Sequence, residues 1–235
     1  MGIYAPIQIY GDEPTVTFDR NEWIKERVKD WDVLHVGCTD YPMTKERLKS
    51  GHLLHEKIRY SAELVKGIDL DHASIELMNT AGFNDVSFMD AEAMTFKDQF
   101  DIVLAGDVVE HLSNPGKFFE GAAKALRDNG VLIVAVPSAL SLAQIKAWIF
   151  NREDVHKDHV AYYSPKTLAE AARREGFLPV GLTYTVQSDG EGEGRLFRFI
   201  RNMAVRMIPQ GAPSIIMEFK LERFIRNSDS RVVLR

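Results

Sequence analysis

The chain alternates short apolar runs with longer amphipathic segments, and this alternation constrains the fold more than any other feature. Five short runs rich in β-branched residues predict strands: VLHVG (33–37), LVKGIDL (64–70), VSFM (86–89), FDIVLAG (100–106) and GVLIVAVP (130–137). Several of them are apolar throughout, as strands that are buried on both faces are. Strands that alternate with helices predict an α/β fold with a doubly wound, Rossmann-like parallel sheet and right-handed crossovers.

The helices between these strands carry their own start and stop signals. Asn114 and Pro115 predict the start of one helix, which we expect to end before Gly130. The segment SPKTLAEAARREGF (164–177) repeats the same pattern of cap, proline and glycine. Two further strands are predicted at 178–187 and 214–221. The sequence therefore predicts a seven-stranded sheet in one domain over residues 1–235.

The composition excludes several classes of protein. The chain is 45% hydrophobic and 27% charged, which is ordinary for a globular domain. No apolar run approaches the roughly 20 residues that span a bilayer, and no signal peptide is evident. Cys38 is the single cysteine, so no internal disulfide framework exists and we expect a reducing, cytoplasmic location.

The charge is unevenly spread along the chain. Residues 195–235 contain nine Lys/Arg and three Asp/Glu, a local charge of +6, within a chain of net charge −5. The acidic remainder argues against nucleic-acid binding by the whole surface. An acidic glycine-rich linker precedes a helical stripe formed by Leu196, Phe199, Ile200, Met203 and Met207. We predict a lid or insertion at 188–213 that packs on the domain; contact of 195–207 with a membrane surface or another subunit is the alternative, and the oligomeric state stays open.

The residues that follow the first two strands are candidates for ligand binding, because ligands of open parallel sheets bind at the carboxyl ends of the strands. Gly37 ends the first strand and lets backbone N–H groups face a ligand. Asp69 ends the second, where a buried carboxylate is costly without partners. Two ribose hydroxyls would supply them. Asp71 is predicted to cap the next helix.

Polar residues also follow the next two strands. Asp90 is placed to accept from an adenine amino group, and the Ala91 N–H to donate to the ring. If the segment after Gly106 forms a helical turn, Asp107, Glu110 and His111 share one of its faces. A solvated turn is the alternative. Together the strand ends predict an adenosine site beside a polar cluster.

In these motifs the sequence resembles the class I S-adenosylmethionine-dependent methyltransferases. The resemblance covers residues 30–190 and rests on VLHVGC, GIDLD, FMDAEAM and FDIVLAGDVVEHLSNPGKFF, in that order. The Glu-His-Leu of the last motif is typical of the branch that contains ubiquinone-type and sugar O-methyltransferases. The resemblance implies that the last strand is antiparallel and that S-adenosyl-L-methionine is the cofactor. It implies these cofactor-binding residues: His35, Gly37, Cys38, Thr39, Asp69, Leu70, Asp90, Ala91 and Gly106.

The first loop departs from the family pattern. Thr39 and Asp40 stand where further glycines are usual, and His35 replaces the usual acid before Gly37. Asp40 is a candidate substitute for the contact of that acid with the cofactor's amino group. The loop fits an NAD site less well, because the second and third glycines of a dinucleotide motif are absent. A ligand without phosphates needs fewer glycines.

Methyl transfer to a hydroxyl group gains from a base near neutral pH. His111 is the first candidate and His159 the second, with Glu110 to orient the imidazole. Alternatively, Asp107, Glu110, His111 and His159 resemble the residues with which the small-RNA 3′-end methyltransferases hold a divalent ion. Such ligands suit Mg²⁺ or Mn²⁺. We favour the metal-free base.

The acceptor is defined less closely by the sequence. Specificity is expected in the N-terminal segment, in residues 138–159 and in 188–213. Trp148, Phe150, Tyr162 and Tyr163 either line a pocket for a ring or pack in the core. The favoured acceptor is a hydroxyl of a small molecule such as a sugar, glycan precursor or quinone-like lipid. A non-catalytic scaffold that binds S-adenosylmethionine is the second hypothesis, motivated by His35 and the glycine-poor loop. The intact polar cluster favours an enzyme.

Overall fold

The computed structural model describes residues 9, 11, 13–153, 155–186 and 195–222. Its strands form one mixed sheet in the order β1-β7-β8-β6-β5-β2-β3-β4. β8 is antiparallel to both of its neighbours, and the other neighbouring pairs are parallel. The strands are β1 (Thr15–Thr17), β2 (Asp32–Val36), β3 (Leu64–Asp69), β4 (Val86–Phe88), β5 (Phe100–Gly106), β6 (Leu126–Pro137), β7 (Phe177–Thr185) and β8 (Ser214–Leu221).

The doubly wound fold and the antiparallel last strand are therefore confirmed, and all seven predicted strands are present. The eighth strand, β1, was not predicted. It is three residues long and lies at the sheet edge beside β7. A segment this short contains no full alternation of buried and exposed residues, so its sequence pattern does not identify it.

Eight helices connect or flank the strands in the described part of the chain. They are α1 (Arg20–Arg27), α2 (Thr44–Ser50), α3 (Leu54–Arg59), α4 (His72–Thr80), α5 (Pro115–Ala125), α6 (Leu142–Ile149), α7 (Pro165–Arg173) and α8 (Arg195–Met207). Single 3-10 turns occur at Ala91–Ala93, Val109–His111 and Pro209–Gly211. Among these helices, none is long and apolar enough to cross a membrane.

The predicted helix caps are present. The Asp71 carboxylate accepts from the Ser74 N–H at 2.8 Å, and Asn114 and Ser164 cap α5 and α7 in the same way. One predicted boundary is wrong: α5 ends at Ala125 rather than just before Gly130. Leu126 is fully buried and pairs with Phe100, so burial in the sheet takes residues 126–130 into β6.

The sheet is covered on both faces because successive residues of its central strands point to opposite sides. On one face, Leu34 and Val103 pack with Phe118 of α5. On the other face, Val33 and Ile102 pack with Ile24 of α1 and with α3. The layers leave the carboxyl edge of the sheet open, and the order of the strands reverses there between β2 and β5. This is where a doubly wound sheet places its ligand.

The stripe on α8 does not pack on the domain as predicted. Phe199, Ile200, Met203 and Met207 are 64%, 58%, 41% and 78% exposed, whereas Val205 is buried. The predicted linker lies outside the described residues. A lid formed by this segment therefore stays a prediction, and it requires a position of α8 other than the one seen here.

Candidate active site

The loop after β2 is held in a fixed conformation by its own side chains. Gly37 has φ of +73°, and Cys38 and Thr39 are fully buried. Thr39 donates to Asp69 Oδ2 from its N–H at 3.1 Å and from its hydroxyl at 2.8 Å. Asp69 Oδ1 accepts from the Asp71 N–H at 3.1 Å. The Asp69 carboxylate at the end of β3 therefore positions the loop that follows β2.

Gly37 is required where this loop meets the segment after β5. A Cβ at Gly37 would lie 2.4 Å from Cγ2 of Val108, a short and stiff side chain. We expect Gly37→Ala to lower the free energy of unfolding by about 1–3 kcal/mol and to weaken cofactor binding. Gly51 is the matched control, since its φ is +68° but nothing lies within 4 Å of a Cβ there. Equal losses of stability and cofactor affinity in the two variants, measured by denaturation and calorimetry, contradict the importance of the Val108 contact.

Two residues suggested for the amino-group contact are engaged inside the protein. The Asp40 carboxylate accepts from Arg47 Nη1 at 2.9 Å and from the Leu54 N–H at 3.2 Å. The buried His35 ring stacks on His55, with 3.2 Å between their Nδ1 atoms. Burial, and then His55, hold the pKa of His35 well below its ordinary value, so its ring is neutral. Contact of His35 with a cofactor stays a prediction.

The loop cysteine is a packing residue in this structure. Cys38 is fully buried and packs with Leu53, Ile75 and Met78. Burial, and then the neighbouring Asp69 carboxylate, raise the pKa of the Cys38 thiol far above its ordinary value. The thiolate is the reactive form, so this side chain is not a nucleophile. Its contribution to a cofactor site is limited to its backbone and to shaping the loop.

The predicted ribose and adenine residues lie together at the same edge. Asp69 pairs with Phe88 in the sheet, and its carbonyl accepts from the Met89 N–H at 3.1 Å, so Asp90 follows one residue later. The Asp90 carboxylate accepts from the Glu92 N–H at 2.8 Å and begins a 3-10 turn that includes the buried Ala91. Leu70 is 54% exposed beside them. These groups border one open surface.

Asp107 is not on one helical face with Glu110 and His111, contrary to the prediction. Asp107 has φ of +54°, and the 3-10 turn begins only at Val109. The left-handed residue turns its carboxylate toward Arg20, whose Nη1 donates to Asp107 Oδ2 at 2.6 Å. This acid therefore belongs to an ion pair across the sheet edge.

Arg20 is a candidate site residue that the sequence analysis missed. It begins α1, is only 5% exposed, and its Nε has no hydrogen-bond partner among the described residues. Its Nη2 lies 2.9 Å from where a Cβ of Gly106 would be, so the glycine admits the guanidinium. The short strand β1 lies just before Arg20, but its sequence pattern does not identify it as a strand, so Arg20 is not among the predicted strand ends.

Glu110 is the most unusual residue at this edge. It is 1% exposed, and neither carboxylate oxygen has a hydrogen-bond partner among the described residues. Burial, and then the Asp107 carboxylate, raise the pKa of Glu110 to about 8. A buried carboxylate without a partner is costly, so the group is protonated at neutral pH or awaits a ligand.

Three histidines surround this acid because the segment after α6 folds back onto it. The Glu110 carbonyl accepts from the N–H groups of Val160 and Ala161 at 2.9 and 3.2 Å. These bonds place the His159 ring 4.6 Å from that of His111, and His156 5.2 Å from His159. Burial, and then His111 and His156, lower the pKa of His159. His159, which the metal alternative groups with His111, thus lies beside it.

The tautomer of His111 follows from its backbone contact. His111 Nδ1 lies 3.0 Å from the Asp158 carbonyl, which can only accept, so Nδ1 donates. In the neutral ring Nε2 then carries the lone pair. Ligand atoms of Glu110, His111 and His159 lie within 4.8 Å of one another. Asp107 is outside this group, so the structure brings together three of the four candidate ligands of the metal alternative.

A cleft of about 740 Å³ opens beside His159. It is formed by α6 and the segment that follows, and its lining includes Ile145, Trp148, Arg152, His159 and Tyr162. Gln144 Nε2 donates to the Tyr162 hydroxyl at 3.1 Å. Of the two predicted alternatives, lining a pocket or packing in the core, Trp148 and Tyr162 follow the first. Tyr163 is instead buried, and Phe150 is 67% exposed outside the lining.

Comparisons with known proteins identify the family. Residues 16–180 match the family described as "Methyltransferase domain". The ubiquinone biosynthesis O-methyltransferase of Caulobacter vibrioides is 26% identical over 165 residues, which are 62% of this chain and 61% of that protein. The chain thus spans about three fifths of the length of this curated relative.

Solved structures share the fold at low identity. A methyltransferase solved in complex with the Haloferax volcanii Trm112 activator superposes with a TM-score of 0.58 at 15% identity, over 86% of this chain and 94% of that one. A second structure is the Burkholderia thailandensis 1,6-didemethyltoxoflavin-N1-methyltransferase, solved with 1,6-didemethyltoxoflavin and S-adenosylhomocysteine. It superposes with a TM-score of 0.50 at 16% identity, over 86% of this chain and 76% of that one. The family match, with the sheet order and the loops at its carboxyl edge, shows that this chain belongs to the class I S-adenosylmethionine-dependent methyltransferases.

Proposed function

We propose that the protein methylates a hydroxyl group of a small molecule, with His111 as the base. The observation that carries this proposal is the cluster of Glu110, His111 and His159, of which His159 lines the cleft. A hydroxyl that enters through the cleft meets His159 in its wall, and the ring centroid of the exposed His111 lies 4.6 Å from that of His159. A hydrophobic pocket without a titratable group would not support proton removal.

The residues at the sheet edge fit the cofactor of this family. A carboxylate has about four lone-pair sites, and Asp69 already accepts three hydrogen bonds from Thr39 and Asp71, so about one site remains for a ribose hydroxyl. Arg20 lies with its Nη2 beside Gly106, its Nε has no hydrogen-bond partner among the described residues, and we propose that it holds the carboxylate of the methionine end. The ion pair with the partly exposed Asp107 keeps the buried guanidinium in place.

The chemistry divides between the bound cofactor and the protein. S-adenosylmethionine supplies an electrophilic methyl group on its sulfonium. The chain orients the acceptor, and His111 Nε2 accepts the hydroxyl proton while Nδ1–H stays bonded to the Asp158 carbonyl. The neutral His159 and the protonated Glu110 add no competing negative charge to the site. Alignment and proton removal are thus the work of this chain.

The acceptor class is proposed from the cleft and from the relatives. Trp148 and Ile145 offer apolar surface to a ring or chain, and Arg152 offers donors to polar substituents. Curated relatives are ubiquinone biosynthesis O-methyltransferases. These features support a sugar, a glycan precursor or a quinone-like lipid as the acceptor.

A metal-dependent O-methyltransferase of the ribose or RNA 3′-end type is the second candidate function. Glu110 favours it, because its two unpartnered oxygens lie beside two histidines and a divalent ion would neutralise the buried charge. Glu110, His111 and His159 would hold the ion, which would position the acceptor oxygen as a Lewis acid. Asp107 is committed to Arg20 and is not available as a fourth ligand in this arrangement.

Cofactor binding gives the direct test of the site. S-adenosylmethionine and S-adenosylhomocysteine should bind by calorimetry and raise the melting temperature, whereas NAD should do neither. Asp69→Ala should weaken binding by about 10- to 100-fold, since it removes charge-assisted hydrogen bonds and the anchor of the loop.

Asp71→Ala is the matched control for this experiment. It removes the cap of α4 and should cost about 1 kcal/mol of stability, with affinity nearly unchanged. If Asp71→Ala weakens binding more than Asp69→Ala does, the ribose contact has been assigned to the wrong acid. Absence of binding of either nucleoside at millimolar concentration contradicts the proposed function as a whole.

A further inference from the structure

Helix α8 presents its apolar side to solvent. Phe199, Ile200, Met203 and Met207 are exposed, and their spacing places them along one side of the helix. The opposite side holds the buried Val205, with Arg201 and Asn202 half-buried beside it. A helix of a globular domain normally buries its apolar stripe and exposes its polar side. In α8, by contrast, the apolar stripe faces solvent and the other side of the helix faces the protein.

The charge of this segment is of one sign. Between residues 195 and 217 there are four arginines and no acidic residue, although the chain as a whole has a net charge of −5. Arg198 is exposed, and Arg206 is exposed with its guanidinium 5.1 Å from the centre of the Phe18 ring. The apolar stripe thus lies in the basic part of an otherwise acidic protein.

Helix α6 also has exposed apolar side chains, and it begins beside the turn that follows α8. Every side chain of α6 is at least partly exposed, and Ile145, Trp148 and Ile149 are 44%, 78% and 66% exposed. Its first residue, Leu142, lies against Gly211, just after the end of α8: a Cβ at Gly211 would be 2.6 Å from Leu142 Cγ. The start of α6 therefore lies against the turn that follows α8, and we call the exposed apolar side chains of the two helices the α6–α8 surface.

The cleft opens on this surface. Ile145 and Trp148 belong both to the exposed side of α6 and to the lining of the cleft beside His159. A partner that covers the α6–α8 surface therefore also borders the cleft mouth. This continuity distinguishes the surface from exposed apolar residues such as Tyr60, which precedes β3 at the amino edge of the sheet.

We propose that the α6–α8 surface docks on an anionic lipid bilayer. Apolar side chains with flanking arginines are the composition of helices that lie in the membrane interface. The arginines are attracted to anionic headgroups, whereas the acidic body is repelled, so the cleft turns toward the lipid. The inference goes beyond the proposed function and does not depend on methyl transfer.

Co-sedimentation of the full chain with vesicles tests this proposal. Binding is expected to vesicles of phosphatidylglycerol and phosphatidylcholine, to weaken at high salt and to be small with phosphatidylcholine alone. Arg198→Gln should weaken binding about fivefold. The double variant Phe199→Gln, Met203→Gln should weaken it by about tenfold or more, because two exposed apolar side chains are lost.

Tyr60→Gln is the matched control, since Tyr60 is 82% exposed but distant in the fold from the surface. It should bind vesicles like the parent chain. The proposal is overturned by absence of binding to anionic vesicles at low salt, or by an equal loss in Tyr60→Gln. It is also overturned if sedimentation velocity shows a dimer that the Phe199, Met203 double variant dissociates, since a second copy then covers the stripe.

Discussion

Replacement of His111 by alanine is expected to lower turnover by about 10²–10⁴-fold and to leave the affinity for S-adenosylmethionine nearly unchanged. The ring lies in the cluster with Glu110 and His159, and its Nδ1–H contact with Asp158 leaves Nε2 free to take a proton. Initial rates with an identified acceptor, together with calorimetry on the same protein, measure the two quantities. Full activity in His111→Ala would contradict both the base and the metal mechanism.

A chelator separates the two mechanisms. If His111 is a simple base, chelation leaves the rate unchanged and Glu110→Gln costs less than His111→Ala. If a divalent ion is bound, chelation abolishes activity, Mg²⁺ or Mn²⁺ restores it, and loss of Glu110 or His159 deletes a ligand. Asp107 does not discriminate between the mechanisms, because its removal also unpairs the buried Arg20.

Glu110→Gln is expected to make the protein more stable at alkaline pH, by a difference from the parent that grows as the pH rises from 4.5 to 8. The folded-state pKa of Glu110 is raised from 4.5 to about 8 by burial and by Asp107. A raised carboxyl pKa contributes stability that is fully present below pH 4.5 and is lost as the pH rises through 8. The loss is on the order of 4 kcal/mol when titration is complete, and glutamine does not titrate.

Denaturant unfolding of both proteins between pH 5 and 9.5, without cofactor and with a chelator present, measures this difference. All other groups titrate in both proteins, so the difference between the two curves isolates Glu110. Parallel curves across the whole range would mean that Glu110 is ionised at low cost in the folded protein. Asp107→Asn provides a second check, because removal of the neighbouring charge should lower the pKa of Glu110 and shift the loss of stability.

Local features of the sequence determined most of the fold and much of the site. The predicted strands, the caps at Asp71, Asn114 and Ser164, and the turn at Gly37 depend on residues close together in the chain. In a parallel sheet the ends of these strands meet at one edge, so Asp69 and Asp90 were also predictable neighbours. Periodicity, caps and strand ends are local properties, and they are legible without the tertiary structure.

Only the tertiary structure decided how the side chains at this edge are partnered. The pairing of Arg20 with Asp107, the stacking of His35 on His55, and the approach of His159 to His111 join residues far apart in sequence. The exposure of the apolar stripe of α8 was likewise decided only by the tertiary structure. Its periodicity predicts an amphipathic helix but not which side of the helix faces the protein. Such partners depend on the relative placement of whole elements, for which one sequence contains no local signal.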